Sequence, residues 1–284
     1  MMSKNKRPSR QAGRPALPNF SGQHLIRDKS LVRRMIELAR LSPQPLVLDI
    51  GAGAGALTLP LAQEGWQVLA IENDSRIAEK LRGKIGETEG IRLVETDFLE
   101  MPLPRKPFGV VANIPFAITT AVLGRLMDHP AVPFRHGVLI VEFGAARRFT
   151  ADPVTQARIL GWRMQFDLKL AEPVSPDRFS PPPRVHCAIL TVRRKNEPLV
   201  RPSDHARFMG LVTQALRVPG APLHAALGPW FTPAQLKHLV KLLRVDRSVP
   251  VGALNERQWA AVFETIIRYV EPYRWPKAGG LFRW

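Results

Sequence analysis

The sequence predicts an α/β fold: a doubly wound, Rossmann-like parallel sheet followed by a smaller all-helical carboxyl-terminal domain. Three observations carry this. Short apolar runs alternate with helical periodicity from residue 31 to residue 141, a glycine-rich turn follows the first of those runs, and strand signals stop after Arg193-Arg194-Lys195. Alternation of strand and helix builds a parallel sheet covered on both faces.

Residues 31–40 space apolar groups at helical intervals, and Pro43 and Pro45 end that helix. Residues 46–50 read as a strand stopped by Gly51, and residues 56–63 as the helix behind the turn. A second strand at 68–71 leads into a helix at 75–84. Residues 92–95, 109–112 and 137–141 are three further strands, the last two separated by a helix at 119–127. Late strands near 165–170 and 186–192 are expected to complete the sheet at an edge. Helical periodicity then occupies 204–217, 233–243 and 256–270, punctuated by Pro219, Pro222, Pro229, Pro233 and Pro250. The expected division is a disordered basic arm over 1–18, a sheet domain over 19–195 and a helical domain over 196–284.

Charge narrows the partners. Lys and Arg number 41 against 24 Asp and Glu, a net of +17 that attracts polyanions at long range. Nucleic acid leads, ahead of an anionic membrane or a merely arginine-rich surface. The arm holds Lys4, Lys6, Arg7, Arg10 and Arg14 without an acid, and reads either as a phosphate-contacting segment or as a solubilising tail. It lacks the apolar core of a signal peptide, and no later run approaches the length of a membrane helix, so a cytoplasmic protein without membrane contact is expected. A single cysteine, Cys187, cannot form an internal disulfide and reads as a buried, inert thiol. His129, His136 and His186 show no metal-ligand spacing, so no metal is expected. Trp230, Trp259, Trp275 and Trp284 read as packing or tail residues.

Asp49-Ile50-Gly51-Ala52-Gly53-Ala54-Gly55 lies between the first strand and its helix, where glycines let a ligand approach the backbone. Dinucleotide folds use a similar turn, so its neighbours decide. Glu72 ends the second strand, where a carboxylate can accept both hydroxyls of a ribose. Asp97 follows the third, placed to accept from an adenine amine while Phe98 packs on the ring. Acids at successive strand ends suit a nucleoside without a pyrophosphate. Asn113-Ile114-Pro115-Phe116 closes the fourth strand at the carboxyl edge of the sheet, where ligands bind in such folds. An exocyclic adenine amine is a poor nucleophile because its lone pair is delocalised into the ring. If the Asn113 side-chain oxygen and a backbone carbonyl near Ile114 and Pro115 accept its hydrogens, the lone pair is turned towards a methyl donor. Phe116 offers a stacking face for an unstacked base. Arg147 and Arg148, beside Phe149, and the arginines of 158–163 grip phosphates or line a solvated helix face.

Together with Phe20-Ser21-Gly22-Gln23-His24-Leu25-Ile26 and Phe179-Ser180-Pro181-Pro182-Pro183-Arg184-Val185, these motifs resemble the rRNA adenine dimethyltransferases, and within them most resemble the Erm family of 23S rRNA adenine N6-methyltransferases. The resemblance covers nearly the whole chain, including residues 138–149 and the carboxyl-terminal helices. It implies a fold that binds S-adenosylmethionine and methylates one adenine of the peptidyl-transferase region of 23S rRNA, in a single strand or loop before full ribosome assembly. That activity confers macrolide, lincosamide and streptogramin B resistance. The resemblance places His24 and Ile26 over the methionine part of the cofactor, with Gly51 and Gly53 at the turn, Glu72 on the ribose and Asp97 with Phe98 at the adenine. Asn113, with Ile114, Pro115 and Phe116, falls between cofactor and substrate, and Phe179 holds the flipped base opposite Phe116. The family usually has Asn where His24 stands and often Tyr where Phe116 stands. A monomer is expected. Two alternatives share the fold: methylation of 16S rRNA in ribosome biogenesis, and a non-catalytic RNA-binding or transcription factor.

Removing Met1 to Pro18 is expected to weaken rRNA binding and to flatten its dependence on salt, because fewer phosphate contacts release fewer counterions. Filter binding at several salt concentrations checks this; an unchanged slope makes the arm a bystander.

Overall fold

The computed structural model describes residues 24–40 and 45–277. The basic arm, residues 20–23 and Trp284 lie outside them. The chain opens with β1 (Leu25–Ile26) and α1 (Lys29–Arg40), then alternates β2 (Leu46–Ile50), α2 (Thr58–Gln63), β3 (Gln67–Glu72), α3 (Ser75–Ile85) and β4 (Ile91–Glu95). It continues through β5 (Phe108–Asn113), α4 (Thr119–Met127), β6 (Phe134–Glu142), α5 (Phe143–Thr150) and α6 (Ala157–Gln165). Three strands follow, β7 (Phe166–Val174), β8 (Phe179–Ser180) and β9 (Cys187–Arg194). The rest is helical: α7 (His205–Ala215), α8 (Leu223–Leu227), α9 (Pro233–Leu243) and α10 (Glu256–Tyr269).

Seven strands form one sheet in the order β4-β3-β2-β5-β6-β9-β7, and β1 pairs separately with β8. The five early strands run parallel, whereas β9 and β7 join antiparallel at the edge where late strands were expected. Sequence order turns away on both sides of β2, to β3 on one flank and to β5 on the other. Such a switch point opens a crevice at the carboxyl ends of the strands.

Strand alternation divides the core between the two faces of the sheet. Leu48, Ile50, Val110 and Ala112 belong to one apolar cluster. Val47 and Val111, one residue out of step, belong to the other, with Leu31, Met35 and Ile36 of α1. Both faces are covered, so β2 and β5 read as nearly continuous apolar runs.

Three features differ from the sequence reading. Helix α6 carried no strong periodic signal because every residue from Ile159 to Gln165 is buried, between the sheet and the carboxyl-terminal helices. Strand β7 runs past Leu170 to Val174 through an irregularity at Leu170/Glu172, and the edge position tolerates Pro173. Arg163 and Arg158 are not free to grip phosphates. Arg163 is 9% exposed and bonds the Ala151 carbonyl, Asp152 and Glu256 of α10. Arg158 forks onto Asp128 at the end of α4, which also accepts from the Trp162 indole at 2.7 Å.

The helical part begins where expected, yet its interior is not its own. Phe208, Leu211, Trp259, Val262 and Ile266 lie in the same cluster as Trp162, Met164 and Val141. Continuous packing predicts a single cooperative unfolding transition for the whole chain. Trp162→Ala is expected to lower stability by about 3–5 kcal/mol without splitting that transition; calorimetry showing two separate transitions contradicts this.

Candidate active site

The parallel register sets the positions of the site residues. Ile50 pairs with Ile71 and Leu48 with Val110, so one residue beyond the first pair and three beyond the second bring Gly51, Glu72 and Asn113 to one level at the carboxyl rim. Gly51 and Ala52 donate their N–H groups to the Ile71 carbonyl at 2.9 and 3.0 Å, tying the turn to β3. Gly53 has φ +55, and a Cβ there would sit 3.0 Å from Leu25 Cδ2, so only glycine keeps both the turn and that close approach.

Glu72 is 2% exposed and holds this corner together. Its Oε2 accepts from the Gly53 N–H at 2.8 Å and its Oε1 from the Asp74 N–H at 3.0 Å, where α3 begins. Each oxygen keeps a further lone pair. Asp97 is half-buried and its Oδ1 accepts from the Leu99 N–H at 2.8 Å, which fixes its rotamer and leaves Oδ2 to a ligand. Phe98 is corrected: it is 3% exposed, sunk in the main core beneath the Arg125 guanidinium, so it supports the Asp97 loop rather than offering a face to a ring.

At the Asn113–Phe116 turn, Asn113 Nδ2 donates to the His24 carbonyl at 2.6 Å, which turns its Oδ1 away as a defined acceptor. Ile114 is buried and its N–H reaches the Ile140 carbonyl at 3.3 Å, anchoring the turn to β6. The Pro115 carbonyl accepts from the Ile118 N–H at 3.1 Å. The His24 ring stacks on Phe116 with centroids 5.9 Å apart and an interplanar angle of 27°, and its Nδ1 lies 2.8 Å from the Pro181 carbonyl. The His24 ring therefore covers part of the Phe116 ring.

A small pocket joins His24, Leu25, Gly51, Gly53 and the whole Asn113–Phe116 turn. Two sequence expectations fail here. Ile26 faces away: it packs on the second cluster and borders a groove along α1, whereas Leu25, half of a two-residue strand, points at the glycine turn. Phe179 pairs with Ile26 and is 1% exposed, so it supports the wall of the site instead of meeting a base. Leu25 was the residue missed, and period-two alternation from Ile26 is the signal that could have found it.

Arg147 and Arg148 are exposed on α5, and Arg148 reaches Thr120 Oγ1 at 3.4 Å in the first turn of α4, immediately after the catalytic turn. Neither pairs with a carboxylate among the described residues. Cys187 is buried, and burial pushes its thiol up to about 11, matching the expected inert role.

Asp49 lies beneath the turn, 1% exposed, accepting from Thr58 Oγ1 at 2.6 Å. Burial, reinforced by the Glu72 charge and opposed by the Thr58 hydrogen bond, raises its carboxyl to about 7.

Comparison with known proteins identifies the family and the fold. Residues 18–268 match the family model described as ribosomal RNA adenine dimethylase. An rRNA adenine N-6-methyltransferase of Bacillus licheniformis is 40% identical over 98% of this chain and 97% of its own. A ribosomal RNA small subunit methyltransferase A of a Synechococcus strain is 31% identical over 87% of this chain and 91% of its own. The crystal structure of the 23S rRNA methyltransferase ErmE superposes with a TM-score of 0.76 at 28% identity, covering 86% of this chain and all of that one.

Because the folded state favours protonated Asp49 and the unfolded chain has the ordinary value of 3.8, the folded protein binds the extra proton between those limits. Stability contributed by this group therefore declines as pH rises from about 4 to about 7 and is level above. Asp49→Asn is expected to remove the decline, gaining on the order of 2–4 kcal/mol over the parent at pH 8 and little at pH 4. Urea midpoints measure the difference; a gap independent of pH refutes a displaced carboxyl.

Proposed function

The chain belongs to the ribosomal RNA adenine dimethylase family, and from that premise we propose that it transfers methyl groups from S-adenosylmethionine to the N6 amine of one adenine in the peptidyl-transferase region of 23S rRNA, conferring macrolide, lincosamide and streptogramin B resistance. The observation that carries the reaction type is the Asn113 amide, pinned by the His24 carbonyl at the rim beside the glycine turn. The choice of 23S rRNA is supported by the fit to ErmE over nearly its whole length.

The donor site suits S-adenosylmethionine: a glycine cradle that a Cβ would obstruct, with Glu72 for the ribose and Asp97 for the adenine. When bound, the cofactor supplies an electrophilic methyl group on a sulfonium sulfur. Asn113 Oδ1 and the Ile114 carbonyl accept the two N6 hydrogens, which draws the nitrogen towards tetrahedral geometry and aims its lone pair. The new N–C bond replaces the methyl's bond to sulfur, and one amine proton leaves to water. Phe116 stacks the unstacked adenine, a contact of about 1–3 kcal/mol. Arg147 and Arg148 bind the phosphates next to the flipped nucleotide, and the basic arm with Lys4, Lys6, Arg7, Arg10 and Arg14 adds contacts of its own.

Methylation of 16S rRNA is the second reading, favoured by the similarity to the small-subunit enzyme. Primer extension on rRNA from cells expressing the chain separates the two. A stop at one 23S adenine together with raised macrolide tolerance is the expected result; a stop only in 16S rRNA removes the resistance reading. Asn113→Ala is expected to lower turnover by on the order of 10²–10³ while S-adenosylmethionine affinity, read by calorimetry, stays within about threefold. Near-normal turnover refutes the assigned role.

A further inference from the structure

Helix α4 starts one short turn after Phe116, and from its last turn Arg125 reaches back to the other end of the site. Its Nη1 donates to the Leu99 carbonyl and its Nη2 to the Met101 carbonyl. Its Cζ lies 5.7 Å over the Phe98 ring. The residues it grips are those that hold Asp97. The Leu99 N–H fixes the Asp97 carboxylate, and the Glu100 and Met101 N–H groups both donate to the Asp97 carbonyl at 3.1 Å. Among the described residues, its hydrogen bonds and its ring contact thus all fall on the turn of Asp97. A planar fork sets two nitrogens side by side, one for each carbonyl, whereas an ammonium donates from a single point.

We propose that Arg125 is a positioning residue for the methyl donor: by clamping the Leu99 and Met101 carbonyls it holds Asp97 where its carboxylate takes the adenine amine, and so sets donor affinity and adenine selectivity. This rests on the reading of Asp97 given above. Because the clamp sits on the helix that leaves the catalytic turn, it also ties the adenine end of the donor to the fold that carries Asn113. Burial depresses the guanidinium and the Asp97 carboxylate opposes that, in keeping with a cation placed for its neighbour.

The test uses the full chain with S-adenosylhomocysteine and S-inosylhomocysteine, whose hypoxanthine lacks the amine, as calorimetric probes. Arg125→Met is expected to weaken S-adenosylhomocysteine binding by about 10- to 30-fold and to erase most of the preference over S-inosylhomocysteine. Arg125→Lys keeps the charge over Phe98 without the fork and is expected not to restore the preference, even if Arg125→Met folds poorly. KM for S-adenosylmethionine rises in both, while kcat at saturating donor and affinity for an rRNA fragment stay within about twofold. Asp97→Asn alone should lose the same preference, and adding Arg125→Met to it should cost little more. Retained selectivity in both Arg125 variants, with Asp97→Asn losing it, overturns the clamp alone. Retained selectivity in Asp97→Asn overturns the adenine reading and the clamp with it.

Discussion

The parallel pairing of β2 with β3 on one side and β5 on the other is the constraint from which the site follows. It brings Gly51, Glu72 and Asn113 to a common level although they come from three separate stretches of chain. Hydrogen bonds then lock that level: Glu72 to the turn and to the start of α3, and Asn113 to the strand-like segment at His24. The carboxylate and the amide are thus oriented by the chain's own backbone before any ligand arrives.

Helix α4 carries that order outward. Its first turn meets Arg148 through Thr120, Arg125 in its last turn holds the Asp97 loop, and Asp128 at its end receives Arg158 and Trp162 of α6. One helix therefore connects the Asn113–Phe116 turn with the Asp97 loop, the exposed arginines and the carboxyl-terminal helices. Arg158 and Arg163, read from the sequence either as phosphate contacts or as part of a solvated helix face, are joints of this framework, whereas Arg147 and Arg148 are exposed.

Much of the fold was legible because punctuation coincided with structure. Pro45 and Gly51 bracket β2, Pro233 opens α9, and the spans of β2, α4 and α9 agree with their expected limits. Helix α6 was hidden because burial on all sides erases the polar face that periodicity detects. The pairing of β1 with β8 was hidden because two residues carry no pattern and their partners are remote in sequence. Residues expected at strand ends do meet at the carboxyl rim, since a strand end has a fixed destination. Aromatic neighbours were not: Phe98 and Phe179 stand beside functional positions but turn inward, and sequence adjacency does not reveal which way a ring points.

The shared interior of the sheet and the carboxyl-terminal helices has a bearing on how such chains diversify. Phe208 and Trp259 are as much a part of the sheet's packing as Trp162 is. A chimaera grafting another relative's terminal helices onto this sheet would meet mismatched volumes across the seam, at a cost typical of overpacked or hollow interiors. An exchange of the terminal helices would therefore have to bring matching changes in the sheet's own packing with it.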